Sequence, residues 1–208
     1  MLVTVVIPAY NEEKTVGSVI RAVRASTLVA EVIVVNDGSA DGTARVARRA
    51  GGQVIDLAEN SGKGAAIQAG VEAGRGDVFL FLDADLIGLR PEHIKCLLEP
   101  VLRGKSDMTV GVFGGGRAAT DLAQAIAPGL SGQRAVRRSL AVKAAGLDMA
   151  GYGAEVALNR AAKAMRARTT RVLLPDLTHV MKEEKMGFAR GFMARLKMYW
   201  EIVKAAQR

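Results

Sequence analysis

Two carboxylates separated by one small residue, Asp83, Ala84 and Asp85, close a run of five apolar residues from Val78 to Leu82. A run of this length and character reads as a strand buried on both faces, and so delivers two acids to one end of a sheet. Carboxylate oxygens are hard ligands that suit Mg²⁺ or Mn²⁺, and in open α/β sheets ligands bind beyond the carboxyl ends of the strands. The pair therefore points to a divalent cation held on a phosphorylated substrate, against the plainer use of Asp in a strand-ending turn. What surrounds it decides between the two.

Three earlier segments repeat the pattern. Leu2 to Ile7 is a β-branched run closed by Pro8, followed by Ala9, Tyr10 and then Asn11, which the pattern predicts to cap a helix. That helix would hold Glu12 and Glu13 in its first turn and bury Val16, Val19, Ile20 and Val23. Glu31 to Asn36 is a second strand, ending in Asp37, Gly38 and Ser39, with Asp41 before a helix through Arg49. Gln53 to Leu57 is a third, and after it Gly62 and Gly64 flank Lys63 at a helix start. Backbone N–H groups and one cation can meet a phosphate there. It is not a P-loop, because Leu57 and Gly64 stand where that motif needs Gly and Ser or Thr. Four strand, turn and helix units at these intervals predict an α/β fold with a doubly wound, mainly parallel sheet. All the acid, glycine and lysine punctuation then falls on one rim, which selects the cation reading of Asp83 and Asp85.

Beyond it, a helix opened by Pro91 runs from Glu92 to Leu102, Met108 to Phe113 form a further apolar segment, and Gly114 to Gly116 interrupt regular structure. Arg134, beside Gly132 and Gln133 in an expected loop, is the anion-binding candidate; Arg137 and Arg138 follow, the latter read as part of a solvated helix face. Glu155 opens another helix. A last strand, Thr170 to Leu174, leads past Pro175 to His179, placed at the same rim either as a neutral imidazole ligand of the metal or as a surface-loop histidine. His93, in a helix start, reads as structural. From Gly187 to Arg208 an amphipathic tail sets Phe188, Phe192, Leu196, Tyr199 and Val203 against Arg190, Lys197, Lys204 and Arg208. Packing onto the domain, an interfacial membrane helix and a homodimer contact are its three readings.

Composition narrows the partners. A chain of 208 residues, half of them hydrophobic, fits one domain with a substantial core. A net charge of +8 favours an anionic partner, and aromatic residues at 4% argue against a base-stacking nucleic-acid surface. Phosphorylated small molecules and anionic membrane surfaces remain. A single cysteine, Cys96, and two histidines exclude a disulfide framework and a zinc cluster, which fits a reducing cytoplasm. No run of about 18 apolar residues and no charged leader is visible, so the expectation is a cytoplasmic protein, soluble or peripheral at the membrane.

In their order and spacing, IPAYNEE, VVNDGSADGT, NSGKGAA and FLDADL resemble the inverting nucleotide-sugar glycosyltransferases of the GT-A fold, over roughly residues 1 to 113. SGQRAVRR, GYGAE and LTHVMKEEKMG are similar to polyprenyl-phosphate (dolichyl-phosphate) mannosyl and glucosyl transferases, with Gln133 and Val136 departing from the usual SGFRAYRR. The resemblance implies a single domain with a nucleotide-sugar half (1–113), an acceptor half (114–186) and a terminal helix (187–208). It implies a UDP- or GDP-sugar lying against Pro8, Ala9, Tyr10, Glu12, Asp37, Gly38 and Ser39, with Lys63 near the diphosphate. Asp83, Ala84 and Asp85 would floor that site, Asp85 and Asp83 holding the divalent cation together with His179. Gln133, Arg134 and Arg137 would receive an acceptor phosphate, and Asp85, Arg134 and Glu155 would form the catalytic set. The expected reaction is a metal-assisted single displacement onto a polyprenyl phosphate, a nucleophile already mostly dianionic at neutral pH because its second pKa is near about 6. A soluble phosphorylated acceptor, as in the glucosyl-3-phosphoglycerate synthases, is the rival; Glu155 is the base if the nucleophile is a hydroxyl. A non-catalytic nucleotide-sugar-binding or membrane-surface protein on a transferase fold is the reading from another class.

Overall fold

The computed structural model describes residues 1–114, 131–147 and 153–179. In chain order these form β1 (Val3–Ala9), α1 (Val16–Arg24), β2 (Glu31–Asn36), α2 (Thr43–Arg49), β3 (Gln53–Asp56), α3 (Lys63–Ala73), β4 (Val78–Phe81) and β5 (Leu86–Ile87). There follow α4 (Pro91–Leu102), β6 (Met108–Gly114), β7 (Arg134–Arg137), α5 (Arg138–Ala145), α6 (Ala154–Ala164), β8 (Thr169–Pro175) and β9 (Thr178–His179). Gly115, Gly116, the Gly151–Tyr152 pair and the amphipathic tail lie outside the described residues.

A seven-stranded sheet has the order β3-β2-β1-β4-β7-β6-β8, and β5 pairs with β9 in a small second sheet. Neighbours pair in parallel except at β7, which runs antiparallel to both β4 and β6. The apolar runs behave as two-sided strands should. In β1 and β4, Val5, Ile7 and Leu80 join one core with α1, α2 and α4, while Val6, Phe79 and Phe81 join the other with α3, α5 and α6. Burying each such Val, Ile, Leu or Phe stabilises by about 1.5–3 kcal/mol, so the two cores fix the strands and hence their ends. The sheet is the expected doubly wound, mainly parallel one. Its direction of growth reverses between β1 and β4, which opens a crevice above their carboxyl ends.

Two expectations fail locally. Helix α1 begins at Val16, after Thr15, and Asn11 sits in the left-handed region at φ 54°, so neither Asn11 nor the two glutamates belong to it. The reason is that the second strand's loop supplies the partners a helix would have given: the Asn11 N–H donates to Ser39 Oγ at 2.9 Å and the Glu12 N–H to Thr43 Oγ1 at 2.8 Å. The buried stripe of Val16, Val19, Ile20 and Val23 is as expected. Arg134 does not lie in a loop but opens strand β7, opposite Phe81 of β4.

Candidate functional site

The carboxyl ends of β1 and β2 carry two loops stitched to each other. Ala9 and Asn36 are register partners, and the Asp37 N–H donates to the Ala9 carbonyl at 2.9 Å. Above them the Ala40 N–H donates to Asn11 Oδ1, the Gly42 N–H to Glu13 Oε2 (each 2.9 Å) and the Glu13 N–H to Asp41 Oδ2 (3.2 Å). The Asp41 carboxyl is held below its usual range: burial works against this, and the Thr43 hydroxyl and amide with the Glu13 amide outweigh it. Pro8 and Ala9 end β1, and Tyr10, 48% exposed, projects from the same end as an aromatic face open to a ligand.

Asp37 is buried, and its two oxygens accept the N–H groups of Ser61 (2.7 Å) and Gly62 (2.9 Å). It thereby fixes the entry to α3 and the direction of Lys63. Gly38 makes this approach feasible: it has φ 67°, and a Cβ there would stand 2.6 Å from the Asn60 nitrogen.

Lys63 is the centre of the charged cluster. Its Nζ lies 2.7 Å from Asp83 Oδ1 and 2.7 Å from Glu155 Oε1, joining the end of β4 to the first turn of α6. Burial works to lower the pKa of the ammonium, but the two carboxylates outweigh it and hold it above its ordinary value, so Lys63 is a cation throughout the physiological range. The other oxygen of Asp83 accepts the Gln133 side-chain amide at 2.7 Å. Asp83, Ala84 and Asp85 end the buried strand as expected, with Ala84 packed inward and the two acids half-buried. One oxygen of each and one imidazole nitrogen of His179, in β9, lie within 4.8 Å of one another. Oxygen ligands bind Mg²⁺ at about 2.0–2.1 Å, so one cation can span such a set. The donor chemistry fits Mn²⁺ or Mg²⁺.

The arginines behave otherwise than their sequence suggested. Arg134 is fully buried, with Nε donating to the Ser131 carbonyl at 2.8 Å and Nη1 to Asn159 Oδ1 at 2.7 Å. Burial pulls its pKa down to about 10 against the opposing pull of Glu155, so it remains a cation at neutral pH. Enclosed in this way, it braces the loop that precedes it and does not extend an arm to an acceptor. Arg137 is placed at the opposite rim: β7 is antiparallel, so its last residue pairs with Val78 at the amino end of β4, and its Nε meets Asp107 Oδ1 at 3.3 Å. The expected acceptor set of Gln133, Arg134 and Arg137 is therefore not assembled in one place: Gln133 donates to Asp83, the buried Arg134 feels Glu155, and Arg137 lies at the opposite rim. Arg138 donates to the carbonyls of Gly74 (2.9 Å) and Gly76 (3.1 Å) and lies over the Phe79 ring. His93 is structural, its Nδ1 accepting the Arg90 N–H at 3.2 Å.

Ser131, Gly132 and Asn159 carry the loop and were not singled out by sequence. The signal available for Gly132 was its place before a polar strand start, and the structure gives the reason: a Cβ there would stand 2.6 Å from Lys63 Nζ and 2.8 Å from Asp83 Oδ2.

The model of Glycosyl transferase family 2 matches residues 4–142. A glucosyl-3-phosphoglycerate synthase of Mycolicibacterium paratuberculosis is 36% identical over 137 residues, covering 57% of this chain and 42% of that protein. A 4,4'-diaponeurosporenoate glycosyltransferase of Staphylococcus aureus is 38% identical over 100 residues, covering 46% of this chain and 27% of that protein. The chain spans less than half the length of these curated relatives. Among solved structures, the Mycobacterium tuberculosis glucosyl-3-phosphoglycerate synthase in complex with Mn²⁺, UDP and phosphoglyceric acid is similar at a TM-score of 0.69 and 30% identity, over 86% of this chain and 70% of that one. The same protein with Mg²⁺ and UDP gives a TM-score of 0.67 at 28% identity, over 86% and 71%.

Proposed function

The chain belongs to Glycosyl transferase family 2, and from that premise we propose that it moves a sugar from a UDP-linked donor to a small phosphate-bearing acceptor, using a divalent cation held by Asp83, Asp85 and His179. The observation that carries this reading is the convergence on one rim of those three side chains, Lys63 and Glu155, from β4, β9, α3 and α6. The similar synthase structures contain UDP with Mn²⁺ or Mg²⁺, and the Mn²⁺ one also phosphoglyceric acid, which supports a small acceptor over the polyprenyl phosphate expected from sequence.

A glycosyl transfer leaves negative charge on the departing diphosphate, and stabilisation placed where that charge grows accelerates the step. A bound divalent cation supplies Lewis-acid stabilisation of the diphosphate oxygens. Lys63 brings a second positive charge to the same place, and Asp37 fixes it there through the backbone of Ser61 and Gly62. Tyr10, Pro8 and Ala9 line the approach for the base and ribose. The acceptor oxygen bonds to the anomeric carbon as the bond from that carbon to the diphosphate breaks. When the acceptor group is a hydroxyl its proton must go to a base, and Glu155, beside Lys63, is assigned that task.

The test is nucleoside diphosphate release from UDP- and GDP-sugars, with 3-phosphoglycerate or a polyprenyl phosphate as acceptor, with and without Mn²⁺. UDP release requiring both 3-phosphoglycerate and Mn²⁺ is the expected result. Release only with the polyprenyl phosphate would overturn the acceptor class, and release with neither would overturn the proposed transfer.

A further inference from the structure

We propose that Gln133 is a positioning residue for Asp83, and that the segment from Ser131 to Arg134 exists to aim its side-chain amide at that carboxylate. This rests on the reading of Asp83 as part of the cation site.

Gln133 is fully buried, yet its side chain has both ends engaged. Its Oε1 accepts the Ser131 hydroxyl at 2.9 Å and its Nε2 donates to Asp83 Oδ2 at 2.7 Å. The two partners fix which way the amide points, since the reverse orientation would set its oxygen against a carboxylate. Asp83 is thus gripped from two sides, Lys63 on Oδ1 and Gln133 on Oδ2, and has no freedom to rotate about its last torsion.

Everything around the amide holds it still. The Gln133 carbonyl accepts the Gly111 N–H at 2.8 Å, docking the residue on β6. A Cβ on Gly111 would stand 2.5 Å from Leu174 Cδ1 and 3.2 Å from Gln133 Cβ, so β6 is trimmed to admit both. Arg134 ties the Ser131 carbonyl from below through Nε, and Asn159 of α6 holds Arg134 in turn. Gly132 lets the segment lie directly on the Lys63–Asp83 pair, as its lack of a Cβ allows. A buried polar side chain with this many fixed neighbours is a costly arrangement unless its single outward bond matters. Outer partners that orient ligating carboxylates change metal affinity by about 10–100-fold when removed.

The experiment measures Mn²⁺ binding to the full chain without sugar donor, by electron paramagnetic resonance of the free ion, together with thermal unfolding. Gln133→Leu should bind Mn²⁺ about 10–100-fold more weakly while unfolding within a few degrees of wild type. Ser131→Ala, which removes the hydroxyl that sets the amide and that also accepts the Gln133 N–H at 3.4 Å, should weaken binding in the same direction and by less. Gln133→Asn, one methylene too short to reach Asp83, should not rescue the loss, whereas Gln133→His, which offers a donor of similar reach, should restore part of it. Should Gln133→Leu fail to fold, Ser131→Ala reads the same contact. Mn²⁺ affinity unchanged in both variants would overturn the positioning role. Failure of the wild-type chain to bind Mn²⁺ is a different outcome, and would overturn the cation site on which the inference stands.

Discussion

The two rims of the sheet use the same residue types to opposite ends. At the amino-end rim, carboxylates close on nearby arginines and hydroxyls: Asp107 meets Arg137 and Arg168 (3.3 and 3.2 Å), and Glu31 meets Thr4 Oγ1 at 2.6 Å and Arg75 at 3.3 Å. The Asp107 carboxyl is held low first by the Arg168 hydrogen bonds, and Glu31 by Thr4 and Arg75 against the opposing effect of burial. At the carboxyl-end rim Asp83 and Glu155 instead share Lys63, Arg134 also acts on Glu155, and Asp83, Asp85 and His179 each bring one ligand atom within 4.8 Å of the others. The first arrangement fastens strand starts to each other. The second brings the oxygens of Asp83 and Asp85 and the imidazole of His179 together beside the Lys63 ion pairs, a donor set that suits a divalent cation. Ion pairs therefore do not mark a site by their number; the gathering of ligand atoms at one point does.

Substitutions at each rim can break or sharpen this contrast. Asp85→Ala should have the largest effect, lowering kcat by about a thousandfold or more, since a Lewis acid contributes several kcal/mol to such a step, with far-UV circular dichroism unchanged. Lys63→Met should cost about a hundredfold in kcat, the scale of losing one preorganised charge at a departing group. It should also lower the melting temperature, because Asp83 and Glu155 would face each other without their shared cation. The sign of the Lys63 shift is informative: a folded pKa raised above the unfolded value of about 10.4 gives stability that is complete below that pH and lost only as pH rises through the folded pKa. The melting difference between wild type and Lys63→Met should therefore be flat from pH 6 to 9.

Asp37→Asn should destabilise by about 1–3 kcal/mol in chemical unfolding, because an amide replaces one of two acceptors facing the Ser61 and Gly62 N–H groups with another donor. At the amino-end rim the effects should be small. Arg137→Ala should leave the KM for acceptor unchanged, and a rise of tenfold or more would restore the acceptor role that its place in β7 argues against. Asp107→Asn should lower stability slightly at neutral pH, and that difference should vanish in acid. A carboxyl lowered by folding contributes above its unfolded pKa of about 3.9, and that contribution is lost as pH falls through the folded pKa. Wild type should thus lose stability below about pH 4 more steeply than the variant, by less than about 1 kcal/mol for so exposed a cluster.

Much of this was legible in the sequence because strongly periodic or continuously apolar segments announce themselves. Val78 to Leu82 and the stripe from Val16 to Val23 fold as their patterns require, and the acids after β4 fall on the expected rim. The failures share a cause. Arg134 to Arg137 is a four-residue strand with an arginine at each end, too short and too polar to show the period of a strand, and its burial depends on β4 and β6 on either side. Asn11 takes a left-handed turn because the Ser39 hydroxyl and the Ala40 N–H, 28 and 29 residues away, supply its partners. Likewise no local pattern joins Gln133 to Asp83 or Lys63 to Glu155, which are 50 and 92 residues apart.

The most direct measurement is calorimetric titration of UDP into the full chain, with and without Mn²⁺, for wild type and Asp85→Ala. The rim described above predicts that Mn²⁺ tightens UDP binding at least tenfold in the wild type and not in Asp85→Ala. Equal UDP affinity with and without Mn²⁺, or a metal effect that survives Asp85→Ala, would contradict it.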